Sequence, residues 1–138
     1  MHAALYRLSG GAFGRHAFGL PVLVLSHAGA RSGKRRQTSL YYCEDGLNLA
    51  VIASKVGAAE NPTWYTNLMA NPIAEAQVGR QRRPVRARLA EEAERARIWH
   101  RMASIYPGYD AYQDRTERRI PVVILEPIAA APASREKA

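Results

Sequence analysis

One cysteine, two phenylalanines and two tryptophans in 138 residues leave the chain little covalent or large-aromatic scaffolding. The lone Cys43 has no partner for an intramolecular disulfide and ends the apolar run Leu40-Tyr-Tyr-Cys43, so it is expected to be a small buried hydrophobe and not a catalytic thiol. No apolar run approaches the roughly 18 residues that a membrane span requires. Met1–Gly11 holds no apolar core of the roughly 7–15 residues found in a secretory signal, so the expected location is the cytoplasm. His2, His16, His27 and His100 stand apart with no metal-ligand spacing, and no metal is expected. A G-x-S-x-G nucleophile turn is also missing, which removes the commonest hydrolytic reading.

Acidic residues are few as well. Twelve Asp and Glu face twenty Lys and Arg, giving a net charge of +8. Such a balance admits an anionic partner of almost any size: a nucleic acid, an anionic membrane surface or a polyanionic cofactor. Placement narrows the choice. Arg80, Arg82, Arg83, Arg86 and Arg88 form a basic stretch without the interleaved aromatics that stack on bases, so nucleic acid is not expected. Arg86 and Arg88 alternate with Val85, Ala87 and Leu89, which predicts a strand with a solvated basic face.

The densest basic cluster follows a strand-like run, Val22–Ser26. There Gly29 and Gly33 bracket Arg31 and Ser32, and Lys34, Arg35 and Arg36 come next. Glycines let backbone N–H groups approach a ligand, and the cations add charge-assisted hydrogen bonds, so this is an anion site in outline. It is not a phosphate loop, because only three residues separate Gly29 from Gly33 and Arg35 follows Lys34. It is not a dinucleotide fingerprint either, since no G-x-G-x-x-G opens a helix. His27, at the strand end beside it, is a weaker candidate for ligand contact.

The rest of the chain reads as alternating short elements. Gln37–Glu44 and Leu47–Ser54 form a hairpin about Asp45-Gly46. Asn61 as N-cap and Pro62 as first helical residue open a helix over Thr63–Ala70 that Asn71-Pro72 stops. Ile73–Val78 is a strand and Gly79–Arg82 a turn. Glu91–Glu94 put acids into the first turn of a helix whose inward face carries Ile98, Met102 and Ile105 beside Trp99, Ala103 and Tyr106. A last strand, Ile120–Glu126, is entered through Pro121. Ala3–Leu8 could make a short helix, with Phe13 and Phe18 pinning the segment. The expected organisation is a lead-in over 1–20, one domain over 21–127 and a disordered tail over 128–138. About six strands with inserted helices, and no repeated strand–helix–strand alternation, predict an antiparallel barrel of mainly β, α+β class. The tyrosines at 106, 109 and 112 recur on one helical face, where a phenol could serve as proton donor.

Five ordered blocks carry a resemblance. Pro21-Val-Leu-Val-Leu leads to Gly29-Ala-Arg-Ser-Gly-Lys-Arg-Arg-Gln-Thr, followed by Val51-Ile-Ala-Ser-Lys55 and Asn61-Pro-Thr-Trp-Tyr-Thr-Asn-Leu68. Tyr106-Pro-Gly-Tyr109-Asp-Ala-Tyr112 and Ile120-Pro-Val-Val-Ile-Leu-Glu-Pro127 complete the set. Over roughly residues 5–127 the chain resembles the deazaflavin-dependent nitroreductases of actinobacteria. The resemblance implies a split β-barrel that binds the deazaflavin coenzyme F420 (FMN being the alternative), acts as monomer or homodimer, and associates with membranes weakly if at all. It implies a hydride passed to a small electron-poor substrate: a quinone, an enone or a nitro-aromatic compound. Arg31, Ser32, Gly33, Lys34, Arg36 and Thr38 would hold the coenzyme's phosphate and polyglutamate tail, with Lys55 adding charge. Ile52, Ala53, Ser54, Thr63 and Trp64 would border the ring, with Tyr41 and Asn67 among the cofactor contacts. Tyr109 would protonate the substrate, and Tyr65, Tyr106 and Tyr112 would contact it. A non-catalytic module for F420, a flavin, a tetrapyrrole or a fatty acid is the alternative on the same barrel. Three positions depart from the pattern: Ala30 stands where a cation is usual, Ser39 where proline is common, and His27-Ala28 replace a threonine-rich pair.

Overall fold

Alternation of apolar and polar residues builds most of this molecule. In the computed structural model, which describes residues 16–17 and 20–129, eight strands form one antiparallel sheet that curls into a split barrel. They are β1 (His16–Ala17), β2 (Leu20–Ala28), β3 (Arg35–Tyr41), β4 (Cys43–Asp45), β5 (Asn48–Ile52), β6 (Ile73–Val78), β7 (Gln81–Leu89) and β8 (Val122–Pro127). The order is β1-β2-β6-β7-β8-β5-β4, and β3, off this path, also pairs with β2. Three helices join them: α1 (Thr63–Ala70), α2 (Glu92–Ile105) and α3 (Gly108–Asp114). The mainly β, α+β architecture anticipated from the pattern is thus the one observed. No helix among the described residues is long and apolar enough to cross a membrane.

The period of two sorts side chains into two cores. Leu23 and Leu25 of β2, Ala74, Ala76 and Val78 of β6, Val85 and Ala87 of β7, and Leu49, Val51, Val123 and Leu125 face the barrel interior, which Trp64 and Leu68 of α1 help fill. The opposite face of β5 and β8, carrying Ala50, Ile52, Val122 and Ile124, is covered by Ile98, Met102 and Ala103 of α2 and by Tyr109 of α3. Cys43 is buried in this second core, and burial raises its thiol pKa, so it is a structural hydrophobe as expected.

Several expectations need correction. Residue 42 leaves the ladder, so the single strand over 37–44 is two, β3 and β4, and with the two-residue β1 the count rises from six to eight. Pro62, not Asn61, is the N-cap of α1, and no side chain caps that end. The turn expected over 79–82 shrinks because Val78 and Gln81 already pair. Ile105, read as inward-facing, is exposed on the last turn of α2. The helix expected over 3–8, the two phenylalanine pins and residues 130–138 of the tail lie outside the described residues.

Arg88 does not simply face solvent. Its fork grips both carboxylate oxygens of Glu94 at 2.8 Å, and its Nε donates to Glu126 at 2.7 Å, tying β7, β8 and the start of α2 together. Glu94 also accepts from the Glu91 backbone N–H. Arg88 first and that N–H second hold the Glu94 carboxyl down to about 2, from 4.5. A depressed carboxylate stabilises the fold above its unfolded pKa, and that contribution disappears as pH falls through its folded one. Glu94→Gln is therefore expected to lower the melting temperature by ~5 °C at neutral pH. The gap to the wild-type chain should close between pH 4.5 and about 2. Melting curves of both proteins across that range check it.

Candidate functional site

The basic turn connects β2 to β3 and is held by its own backbone. Gly29 N–H donates to Lys34 O and Gly33 N–H to Gly29 O, both at 2.9 Å. Gly33 takes φ +70°, which a side chain would strain, and Lys34 N–H donates to Ser32 Oγ at 3.1 Å. From outside, α1 adds Asn67, whose Oδ1 accepts from Ala30 N–H at 2.8 Å, and just beyond the helix Asn71 donates to Gly29 O at 3.3 Å. Arg31, Ser32, Lys34 and Arg36 are exposed. Arg35 pairs with Glu75 at 3.1 Å, whereas Arg31, Lys34 and Arg36 have no carboxylate partner among the described residues. A turn closed by its own backbone hydrogen bonds thus carries three cations that leave their charge open to an anion.

Strand β3 leads from this turn to a hollow. Four residues beyond Arg35, roughly 13 Å along an extended strand, Ser39 enters the lining with Tyr41. Val22 of β2, Ile52, Ser54 and Tyr109 complete a space of about 210 Å³. That volume suits part of a ligand and not a whole cofactor, for which pockets of roughly 300 Å³ and more are usual. A long ligand would lie with one end in the hollow and the other along the turn. Ser39 Oγ is buried and makes no hydrogen bond, so it is a polar atom awaiting a partner from the hollow.

Tyr109 is 4% exposed and is walled by aromatic rings, with Tyr106, Tyr112 and Trp99 at centroid distances of 5.4, 6.1 and 6.2 Å. Burial, then the neighbouring Tyr41, Tyr106 and Tyr112 phenols, push its pKa far above the ordinary phenol range. It remains protonated at any physiological pH, a hydrogen-bond donor whose free phenolate is disfavoured. The Tyr106 and Tyr112 hydroxyls bond each other at 2.9 Å, and Tyr109 takes no part in that bond.

After Ser54 the chain makes a turn in which Lys55, Val56 and Gly57 all have positive φ, 46°, 47° and 83°. For a β-branched valine this is strained, and it persists because its surroundings hold it. Arg118 donates to Ser54 O and Ala58 O at 2.8 Å, to Asn61 Oδ1 at 2.7 Å and to Ala53 O at 3.3 Å. Arg115 reaches Val56 O at 3.2 Å. Gly57 fits so closely under α3 that a Cβ there would lie 2.6 Å from Tyr112 O.

Not all of the expected site residues converge. Arg31, Ser32, Gly33, Lys34 and Arg36 share the turn, and Tyr41, Ile52, Ser54 and Tyr109 share the hollow. Ala53 is buried beneath it, and Lys55, exposed, pairs with Glu60 at 3.3 Å. Trp64 points into the barrel core instead, because position 64 lies on the inward side of α1, while Thr63 is exposed at its start. Tyr65 lines a separate hollow with Leu89, Arg95 and Pro121. Asn67 and Thr38 are engaged with His27. Tyr106 and Tyr112 stand behind Tyr109. Missed by sequence reasoning were Val22 and Ser39, although the alternation that put Tyr41 on one face of β3 puts Ser39 there too. Arg118 was also missed, and no local pattern marks it. Among the described residues no His, Cys, Asp and Glu cluster could hold a metal.

Comparison with known proteins gives a consistent picture. The family profile described as F420H(2)-dependent quinone reductase matches residues 1–127. A protein of Mycobacterium tuberculosis named F420H(2)-dependent quinone reductase is 40% identical over 129 residues, 91% of this chain and 87% of the relative. A solved structure titled as the F420-H2 dependent reductase FDR-A is 39% identical, with a TM-score of 0.71 over 77% of this chain and 94% of its own. Another, described as a domain-swapped dimer, is 36% identical with a TM-score of 0.73 over 90% of this chain and 94% of its own.

Proposed function

Because the chain belongs to the F420H(2)-dependent quinone reductase family, and its cofactor is accordingly coenzyme F420, we propose how its own residues divide the work of reducing a quinone. The carrying observation is the arrangement along β3. Unpaired cations lie at one end, and at the other is a hollow lined by a buried, partnerless Ser39 hydroxyl and a neutral buried phenol. Bound in its reduced form, F420 supplies a hydride. Arg31, Lys34 and Arg36 hold its anionic tail by charge-assisted hydrogen bonds, with Ser32 and the Gly33 backbone at the same turn. Ile52, Ser54 and Tyr41 border its ring, and Ser39 Oγ offers the hydrogen bond that no protein group takes up. Lys55 adds charge beside Ser54. Trp64 and Asn67 shape the site from beneath, by packing and by fixing the turn.

Tyr109 supplies the proton. A quinone that accepts a hydride becomes a hydroquinone anion. The Tyr109 hydroxyl hydrogen-bonds to the oxygen that gains the charge and passes its proton on as solvent replaces it, so the two-electron reduction is completed without a free Tyr109 phenolate. The same chemistry extends to enones, whose hydride adduct is an enolate, and to nitro-aromatic compounds.

Parallel titration with F420, FMN and haem, followed by oxidation of reduced F420 with menadione, tests this reading. Micromolar affinity for F420 with turnover is expected, and no F420 binding at micromolar concentration would overturn it. At the tail, Lys34→Ala and Arg36→Ala are each expected to weaken long polyglutamate forms by ~fivefold and short forms by less, the modest size reflecting solvent-screened cations. Equal losses for both forms would remove the tail assignment.

A further inference from the structure

We propose that His27 is the positioning residue that sets the shape of the anion-binding turn, and that its protonation loosens the turn, so that coenzyme affinity falls in acid. This rests on the reading of residues 29–36 as the coenzyme's anionic grip. His27 sits near the end of β2, 4% exposed, directly across from Arg36. Its Nδ1 lies 3.2 Å from Asn67 Nδ2 and its Nε2 lies 3.2 Å from Thr38 Oγ1.

These contacts admit one arrangement of hydrogens. Asn67 Oδ1 accepts from Ala30 N–H at 2.8 Å, so the amide nitrogen is the atom that faces the imidazole. It donates to Nδ1, which is therefore a bare lone pair, and the ring proton resides on Nε2 and is donated to Thr38. A proton added to Nδ1 would face the Asn67 NH₂. Rotating the amide relieves that clash only by turning its NH₂ toward Ala30 N–H. Either way one donor, the buried Asn67 amide or the Ala30 N–H, loses its acceptor, and the bond that fixes the turn at Ala30 is the one at stake.

The surroundings oppose the imidazolium. Arg36 faces it from β3. Of the two charges that line the neighbouring hollow with His27, Glu75 on β6 is already paired with Arg35. Helix α1, which supplies Asn67, carries no ionisable side chain except Tyr65. Burial, with Arg36 second, accordingly lowers the His27 pKa below 6.5. A bound polyanion pulls in the opposite direction, but through exposed, salt-screened charge, and that gain is smaller than the loss of a buried hydrogen bond. The turn thus keeps its shape above the ordinary histidine range and yields as pH falls below it.

Calorimetric titration with F420 at pH 8 and pH 5.5, on wild type, His27→Gln, His27→Leu and Asn67→Ala, decides the matter. Glutamine keeps an acceptor for Asn67 and a donor for Thr38 but does not titrate, so it should match wild type at pH 8 and escape the acid loss. Wild type should weaken ~threefold in acid, since a lowered pKa leaves part of the imidazole neutral at pH 5.5, and the leucine and alanine variants should be ~tenfold weaker at both pH values and flat with pH. Binding that falls equally in acid for wild type and His27→Gln, or that ignores both His27→Leu and Asn67→Ala, would overturn the proposal. Should His27→Leu fail to fold, Asn67→Ala with the glutamine variant carries the test. If wild-type protein binds no F420 at pH 8, the reading of the turn itself falls, an outcome distinct from flat mutant behaviour.

Discussion

Tyr109→Phe should slow quinone reduction ~100-fold while leaving F420 affinity almost unchanged, the scale expected when a general acid is removed and nothing else moves. The side chain is buried among rings, and its phenyl body supplies that packing, so phenylalanine keeps the wall intact. Its hydroxyl stands outside the Tyr106–Tyr112 hydrogen bond, so deleting it leaves no protein donor stranded there. The loss therefore falls on the turnover number. A second signature separates acid from packing. Because burial lifts the Tyr109 pKa above any working pH, wild-type turnover should show no descending limb from this group up to pH 9. Steady-state kinetics with menadione, paired with F420 titration, check both parts. A large fall in affinity with unchanged turnover would make Tyr109 a binding residue.

Arg118→Ala is expected to cost about 3 kcal/mol of stability and to weaken F420 binding by ~100-fold, because one guanidinium holds four acceptors around a single turn. Those acceptors, on Ala53, Ser54, Ala58 and Asn61, enclose the turn in which Lys55 and Val56 have positive φ. Release lets Val56 relax toward an extended conformation and carries Ser54 away from the hollow. Arg118→Lys keeps the charge and loses the planar fork, so it should lie between alanine and wild type. Hydrogen exchange at residues 54–58 gives the direct readout, since their amides should exchange faster in Arg118→Ala than in wild type. Unchanged exchange there would show that the turn holds itself.

What could be read from the chain beforehand was local. Asn71-Pro72 ended α1 where expected, Asp45-Gly46 placed the β4–β5 hairpin with Gly46 at positive φ, and the alternation in Ile73–Val78 gave a strand with those ends. Each of these depends on neighbours within a few residues. The site resisted because its determinants are distant in sequence. Asn67 reaches Ala30 across 37 positions and His27 across 40, and Arg118 reaches Ser54 across 64. No periodicity encodes such contacts. Trp64, placed beside the ring by resemblance alone, packs into the barrel interior, a placement that only the assembled sheet reveals. Ser39 lies between these cases: its face was predictable, but its missing partner became visible only with the sheet assembled.

The placement of Cys43 has a consequence for survival in use. Quinones arylate thiolates, so an enzyme that turns them over is exposed to inactivation by its own substrates. The chain's one sulfhydryl is 7% exposed on β4, beneath Arg101, and burial keeps it in the unreactive thiol form despite that cation. An enzyme with a single thiol, shielded in this way, withholds from electrophiles the group they would otherwise attack fastest.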